Sequence, residues 1–148
     1  MAERARLDGY DARILTELQA NARLSIAELS RRVHLSQPAV RERVHKLEVA
    51  GVIRGYHAAV DLQALGYGIR AIMRLGRSDY ARVSRLVGRT PEVVSAFNVT
   101  GEDSWILEIA VIDVAHLDTV VSRFAALAES STAIILKAPR EHLPVRPA

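Results

Sequence analysis

The chain has 148 residues, of which 49% are apolar and 25% charged, and this composition argues against intrinsic disorder. Its longest stretch without Lys, Arg, Asp or Glu is Val93–Gly101, whereas a membrane-spanning helix needs roughly 20 apolar residues. The first residues show no apolar signal region, and the absence of cysteine excludes disulfides, thiol catalysis and Cys-ligated zinc. We therefore expect a cytoplasmic protein without membrane contact.

The positive charge is concentrated in the first 60 residues. Ten Lys or Arg residues face seven Asp or Glu residues there, whereas residues 61–148 hold ten of each kind. A basic region beside a neutral remainder indicates an anionic partner for one part of the molecule, although a solvated charged face explains the charge alone equally well.

Three helices are predicted before residue 52 from their capping signals. The first begins after Asp8, and Asp11 is placed to complete an acidic capping box. The second begins after Ser25, the third begins after Ser36, and Gly51 ends the third. Apolar residues recur at helical spacing within all three. The residues expected to face their common core are Ile14, Leu15, Leu18, Leu29, Val33, Val40, Val44 and Leu47.

The second and third helices are separated by a short turn, as in a helix-turn-helix. Because the apolar stripe of the third helix faces the core, its first turns present polar and basic side chains to solvent. Ser and Gln bond base edges, and Arg binds guanine bidentately. Arg43 is expected to contact phosphate or to pair with Glu42 or Glu48; a solvated three-helix bundle is the alternative. The predicted DNA-binding residues are Ser36, Gln37, Pro38, Arg41, Arg43, His45 and Lys46.

Short apolar runs alternate with amphipathic helices in the second half of the chain. Residues 52–60 are predicted to be extended and to pair with a second chain, because a lone edge strand leaves its amides unpaired. The remaining elements follow the βαββαβ order of a ferredoxin-like fold. They are strands at 69–76, 93–100, 105–112 and 132–138, and helices at 79–89 and 114–128.

The predicted fold class is therefore α+β, with an N-terminal helix-turn-helix domain joined to a C-terminal ferredoxin-like domain. The expected division is a DNA-binding domain at 1–51, a strand and linker at 52–67, the βαββαβ domain at 68–138 and an irregular tail at 139–148.

No catalytic, cofactor or metal site is predicted. Residues 66–71 match a dinucleotide-binding pattern by letters, but a strand follows them where that mechanism needs a helix N-terminus. The five histidines lack the spacing of a zinc motif, and no nucleophile is paired with a base. A small ferredoxin-like enzyme is accordingly the weaker alternative.

Several segments together resemble the Lrp/AsnC (leucine-responsive, or feast/famine) transcriptional regulators over residues 7–138. The segments are LDGYDARILTELQANAR at 7–23, LSQPAVRERVHKLEVAGVI at 35–53, Gly55-Tyr56, Val99-Thr100-Gly101 and TAIIL at 132–136. The resemblance implies a sequence-specific regulator of double-stranded DNA that forms homodimers and higher assemblies such as octamers. A DNA-organising protein of low sequence specificity is the main alternative, because the same basic helix binds phosphate without reading bases.

The resemblance also implies an effector site for an amino acid at the turn between the second and third strands. Many family members have Asp three residues after the turn glycine, where this chain has Ser104, with Asp103 one residue earlier. Trp105 is either a core residue or an aromatic wall of that site. The implied effector-binding residues are Gly101, Asp103, Ser104, Trp105, Ser130 and Thr132.

Overall fold

A computed structural model describes residues 6–139 and 144–145 and divides them into two compact units. We call residues 6–59 with 144–145 the helical unit and residues 60–139 the sheet unit. Val145 joins the helical unit through two hydrogen bonds between its backbone and the Gln19 side chain, at 2.8 and 2.9 Å. The other predicted tail residues, 140–143 and 146–148, lie outside the described residues.

The helical unit contains α1 (Gly9–Ala20), α2 (Ile26–Val33) and α3 (Gln37–Val49). The predicted caps are confirmed. Asp8 and Asp11 form the capping box of α1, and the Ser25 and Ser36 side chains accept from the backbone of α2 and α3. The apolar stripes meet in one core, where the most buried members are Ile14, Leu29, Val33, Val40 and Leu47, while Leu15, Leu18 and Val44 are partly buried.

The strand predicted at 52–60 is not present in the described chain. The amides of Val52 and Ile53 instead donate to the Leu47 carbonyl at 2.9 and 3.0 Å, directly after Gly51 with its positive φ of 69°. Both side chains pack against the helical core. These two residues therefore close the end of α3. Residues 54–60 have no strand partner within the described residues, and their predicted pairing with a second chain stays a prediction.

The sheet unit contains four antiparallel strands and two helices in the predicted βαββαβ order. The elements are β1 (Ile69–Leu75), α4 (Tyr80–Val87), β2 (Val93–Asn98), β3 (Trp105–Val111), α5 (Val114–Ala125) and β4 (Ser130–Ile134). The strand order β2-β3-β1-β4 places the first and third strands in the centre, as in a ferredoxin-like sheet. The predicted fold class is confirmed.

The last strand begins two residues earlier and ends four residues earlier than predicted. It pairs with β1 from Leu75↔Ser130 to Ala71↔Ile134, and the Ile135 amide makes one more bond to the Arg70 carbonyl. In this register Ile69, the first residue of β1, lies opposite residue 136, so β1 has no backbone to pair with residues 137 and 138.

The two faces of the sheet differ in what covers them. α5 contacts β1, β3 and β4, and the core between helices and sheet includes Met73, Val83, Leu107 and Phe124, all fully buried. Residues directly opposite on neighbouring strands point to the same side. The opposite side, which we call the open face, carries Phe97, Ile106, Arg74, Ser131, Ser95, Glu108, Ile72 and Ala133.

Within residues 6–139 and 144–145, no helix is long and apolar enough to cross a membrane. The same residues contain no group of three or more His, Asp or Glu side chains that could hold a metal ion.

Candidate DNA-binding surface and effector site

The first turns of α3 form an exposed polar surface, which we call the α3 surface. Six of the predicted DNA-binding residues, Ser36, Gln37, Pro38, Arg41, His45 and Lys46, are exposed, because Val40 and Leu47 turn the opposite side of α3 into the core. Ser36 also caps the helix, and its Oγ accepts from the Ala39 amide at 3.4 Å. The unpaired amides of a helix N-terminus favour phosphate, and the α3 surface adds side chains that read bases.

Arg41 is a cation on the α3 surface that carries no ion pair within the described part of the chain. Lys46 differs, since its Nζ lies 2.6 Å from Glu42 Oε1, one turn earlier on the same exposed side of α3. The Lys46 ammonium lowers the pKa of Glu42 by hydrogen bonding and charge attraction. Arg41 is therefore the residue of this surface whose guanidinium is ready for an external anion.

Arg43 does not form the ion pair that was predicted with Glu42 or Glu48. Its Nη1 lies 2.8 Å from both Asp8 Oδ2 and Asp11 Oδ1, and its guanidinium also lies 5.4 Å from the Tyr10 ring centre. Hydrogen bonds to Asp11 and Asp8 raise the pKa of Arg43. The carboxylates that cap α1 thus bind Arg43 of α3, and Arg43 forms no ion pair with Glu42 or Glu48. Arg43 braces two helices against each other.

Glu48 has another partner in the helical unit. Its Oε1 accepts from the Tyr56 hydroxyl at 2.8 Å. Burial, reinforced by the hydrogen bond to Glu48, raises the pKa of Tyr56 to about 12. This contact holds the segment after α3 against the helix.

The turn between β2 and β3 contains the glycine expected in the effector site. Gly101 has φ of 119°, a conformation that L side chains rarely adopt, and a Cβ built there would meet no atom within 4 Å. Trp105, at the start of β3, is 5% exposed and belongs to the core. The Tyr80 ring stacks on it with centroids 5.2 Å apart. Its Nε1 is buried without a hydrogen-bond partner in the described chain.

Two of the other predicted effector residues, Ser130 and Thr132, lie on the helix-covered side of the sheet. Ser130 pairs with Leu75, which also pairs with Trp105, so these three side chains share the helix-covered side. Thr132 pairs with the buried Met73 and lies on that side as well.

Asp103 is not brought together with them. Its Oδ2 lies 3.8 Å from Nη1 of Arg74, which belongs to the open face and bonds Ser131 there at 3.3 Å. Ser104 uses its backbone to close the turn, donating to the Leu75 carbonyl and accepting from Val99 and Asn98.

Sequence reasoning missed a charged cluster between the start of β2 and α5. Glu92 Oε1 lies 3.0 Å from His116 Nε2 and 3.2 Å from Arg123 Nη2. The hydrogen bond from His116 is the main cause of the lowered pKa of Glu92. Because these residues are 24 and 31 positions from Glu92, no local pattern could have predicted the contacts.

Comparison with known protein families decides the classification. The pattern of the AsnC-type helix-turn-helix domain matches residues 7–48, and that of the Lrp/AsnC ligand binding domain matches residues 71–145. The chain belongs to the Lrp/AsnC family. Its predicted resemblance is thereby confirmed, and the two matched segments correspond to the three helices and to the sheet unit with the tail.

Relatives within the Lrp/AsnC family match over nearly the whole chain. The HTH-type transcriptional regulator Rv2324 of Mycobacterium tuberculosis is 36% identical, and the alignment covers 94% of this chain and 98% of that one. The leucine-responsive regulatory protein of Rhizobium meliloti is 39% identical, with 85% of each chain covered.

Solved Lrp/AsnC structures share the architecture. A transcriptional regulator of Neisseria meningitidis in complex with L-Met has a TM-score of 0.86 and 30% identity, with 94% of this chain and 96% of that one covered. The feast or famine regulatory protein of M. tuberculosis complexed with L-methionine has a TM-score of 0.87 and 29% identity, with 95% and 99% covered.

Proposed function

We propose that this Lrp/AsnC protein is a sequence-specific DNA-binding transcriptional regulator whose activity is modulated by an amino acid. The observation that carries the DNA-binding part is Arg41, which lies near the start of α3 with an exposed guanidinium that forms no ion pair with any described residue. Ser36, Gln37 and His45 supply hydrogen-bonding groups for base edges beside it, and Pro38 lies on the same exposed helix start. Lys46 supplies a phosphate contact at the cost of its pair with Glu42.

Arg43 contributes to DNA binding by holding α3 in place. Its bonds to Asp8 and Asp11 connect the helix that reads DNA to α1. Arg41 and Arg43 are two residues apart but have different roles, since Arg41 contacts DNA and Arg43 pairs with carboxylates of the protein.

Replacing Arg41 with alanine is expected to weaken specific DNA binding by about 1–3 kcal/mol, roughly 5- to 150-fold, because one bidentate base contact is lost. The fold should be unchanged, since Arg41 lies outside the apolar stripe of α3. The measurement is a gel-shift titration on an operator fragment selected from random DNA by the wild-type chain, with circular dichroism as the folding check.

Arg23→Ala is the matched control, because Arg23 is exposed, lies in the same unit and carries the same charge. Its operator affinity should stay near that of the wild-type chain. Equal affinities for Arg41→Ala and the wild type would contradict the role of Arg41. An equal loss on operator and random DNA would favour the DNA-organising alternative, in which α3 binds phosphates only.

The turn at Gly101 is the proposed effector site. Gly101 has no side chain and no atom lies within 4 Å of its Cβ position, so a ligand can approach the backbone of the turn. Amides of the turn there bind a ligand carboxylate. Ser130 and Thr132 offer neutral hydrogen bonds from the helix-covered side of the sheet, where Trp105 forms the apolar floor. The structures solved with L-methionine support an amino-acid ligand.

Ser104 and Asp103 have lesser roles in this proposal. Asp103 is engaged by Arg74 at 3.8 Å, so the ammonium of the effector meets the neutral Ser104 unless that weak pair opens. We infer that apolar burial against the exposed Tyr80 ring, which stacks on Trp105, supplies most of the affinity, which favours effectors with apolar or aromatic side chains.

We further propose a homodimer, assembling into larger rings such as octamers, that acts in the cytoplasm and has no enzymatic activity. The open face supports the dimer, since it exposes Phe97 at 59% beside Ile106 and Ile72. Residues 54–60, which have no strand partner in the described chain, are proposed to pair with the same segment of the second chain. In such a dimer the two α3 helices meet major grooves about 34–36 Å apart.

Replacing Phe97 with glutamate is expected to shift the protein toward monomers by at least tenfold in dimer dissociation constant, because a charge would be buried in an apolar interface. Sedimentation velocity across a concentration series measures this shift.

Val114→Glu supplies the control for Phe97→Glu, as Val114 is a 63% exposed apolar residue at the start of α5, outside the open face. A Phe97→Glu chain that keeps the wild-type dissociation constant would show that the open face is not the dimer interface.

A further inference from the structure

Four arginines converge on one groove of the sheet unit. The groove has a volume of about 370 Å³ and lies between α4 and α5. Its lining residues are Arg82, Arg85, Leu86, Arg89, Arg123 and Leu127. We call this surface the arginine groove. It lies in the second part of the chain, where residues 61–148 hold equal numbers of basic and acidic residues, so the charge count by itself did not indicate this groove.

The arrangement follows from helix geometry. Arg82, Arg85 and Arg89 are spaced i, i+3 and i+7, which aligns them on one side of α4 and the turn after it. The opposite side of α4 carries Val83, which is fully buried in the core. Burial of Val83 therefore directs the three arginines outward together.

The charge of the arginine groove is poorly compensated. Arg82, Arg85 and Arg89 are exposed, and their side chains form no ion pair with any residue that the structure describes. Arg123 alone has a carboxylate partner, Glu92 at 3.2 Å, which it shares with His116. Four close guanidinium groups repel one another, and a polyanion relieves that repulsion.

The shape of the groove indicates the kind of anion. Compact phosphate sites use the free amides of a helix N-terminus. Here Arg85 and Arg123 belong to the last turns of α4 and α5, so helix C-termini lie nearby and binding must rely on side chains. Guanidinium groups bind phosphate oxygens bidentately. An open, side-chain-lined groove suits an extended phosphate chain better than one small phosphate.

We propose that the arginine groove binds the phosphate backbone of DNA, as a second and sequence-independent contact surface apart from the α3 surface. This inference rests on the DNA binding proposed above. It assigns a role to the sheet unit beyond effector binding and assembly, namely holding DNA that lies outside the bases read by α3.

The test compares two double variants that lose the same charge. Arg82→Gln with Arg85→Gln removes two groove arginines, and Arg77→Gln with Lys137→Gln removes two exposed cations of the same unit outside the groove. Affinity for a long random-sequence duplex is measured by fluorescence anisotropy at several salt concentrations. The logarithm of the affinity falls as the logarithm of the salt concentration rises, and each lost phosphate contact makes this slope shallower by about 0.9.

The slope of the groove variant is expected to be shallower than that of the wild type by about 1.8, whereas the control variant keeps the wild-type slope. Between 50 and 200 mM salt, the wild type should then lose about tenfold more affinity than the groove variant. Equal slopes in both variants would overturn the inference, and so would a groove variant that changes oligomeric state without a change in slope. If the wild-type chain binds no DNA, the proposed function itself fails. If the wild type binds DNA but the two variants have equal slopes, only the inference about the arginine groove fails.

Discussion

Replacing Phe124 with alanine is expected to lower the free energy of unfolding of the sheet unit by about 3–5 kcal/mol, the range typical of large-to-small changes at buried aromatic positions. Phe124 is the largest fully buried side chain, and it lies on α5 against the sheet. Its removal leaves a cavity among rigid neighbours, including Val120 on the same helix and the central strands, which cannot close it without moving α5.

Urea unfolding followed by Trp105 fluorescence measures this loss, because Trp105 belongs to the same core. Val114→Ala is the control on the same helix, since Val114 is 63% exposed and its change should stay within about 0.5 kcal/mol. A Phe124→Ala chain that unfolds at the wild-type urea midpoint with an unchanged slope would show that this core does not stabilise the sheet unit as described.

Replacing Gly101 with tryptophan is expected to weaken amino-acid binding at least 100-fold while leaving DNA binding without effector unchanged. Two effects act together. The φ of 119° disfavours any side chain, at a cost of roughly 1–3 kcal/mol. A Cβ built at Gly101 meets no atom within 4 Å, so the space in front of the turn is open. The new indole would fill this space, where the amino acid is proposed to bind.

Calorimetric titration of the twenty amino acids against both chains measures the effect, with operator binding measured in parallel. Gly101→Ala separates the two causes, because it introduces the backbone strain without the bulk of the indole. An amino acid that alters DNA binding equally in the wild type and in Gly101→Trp would place the effector site elsewhere. If no amino acid binds the wild type at millimolar concentration, the proposed effector class is wrong.

Local chemistry made the helical unit predictable. Hydrogen bonds of a capping box span three residues, so the pair Asp8 and Asp11 could be assigned from spacing alone. The apolar repeat of α3 predicted that Arg41 would be exposed, because helical geometry is the same wherever a helix occurs. The order of strands and helices similarly predicted the ferredoxin-like sheet.

Contacts between residues far apart in the chain could not be predicted from local spacing or periodicity. Arg43 was expected to contact phosphate or to pair within α3. Its ion-pair partners instead lie 32 and 35 residues away at the start of α1, because packing brings those carboxylates closer to Arg43 than Glu42 or Glu48. Residues 52 and 53 have the composition of a strand, yet their amides bond the end of α3. The backbone partner decides between strand and helix cap, and composition does not identify it.

The effector residues show the same division. The turn glycine and its neighbours could be proposed from sequence by resemblance, but only the strand register placed Ser130 and Trp105 on one side of the sheet and tied Asp103 to Arg74 on the other. The arginine groove likewise needed the packing of α4 beside α5. Sequence thus determined the caps, the helical faces and the order of elements, which depend on neighbours within a few residues. Tertiary structure alone decided which charged and polar groups of different elements contact one another, because those contacts depend on how separate elements pack.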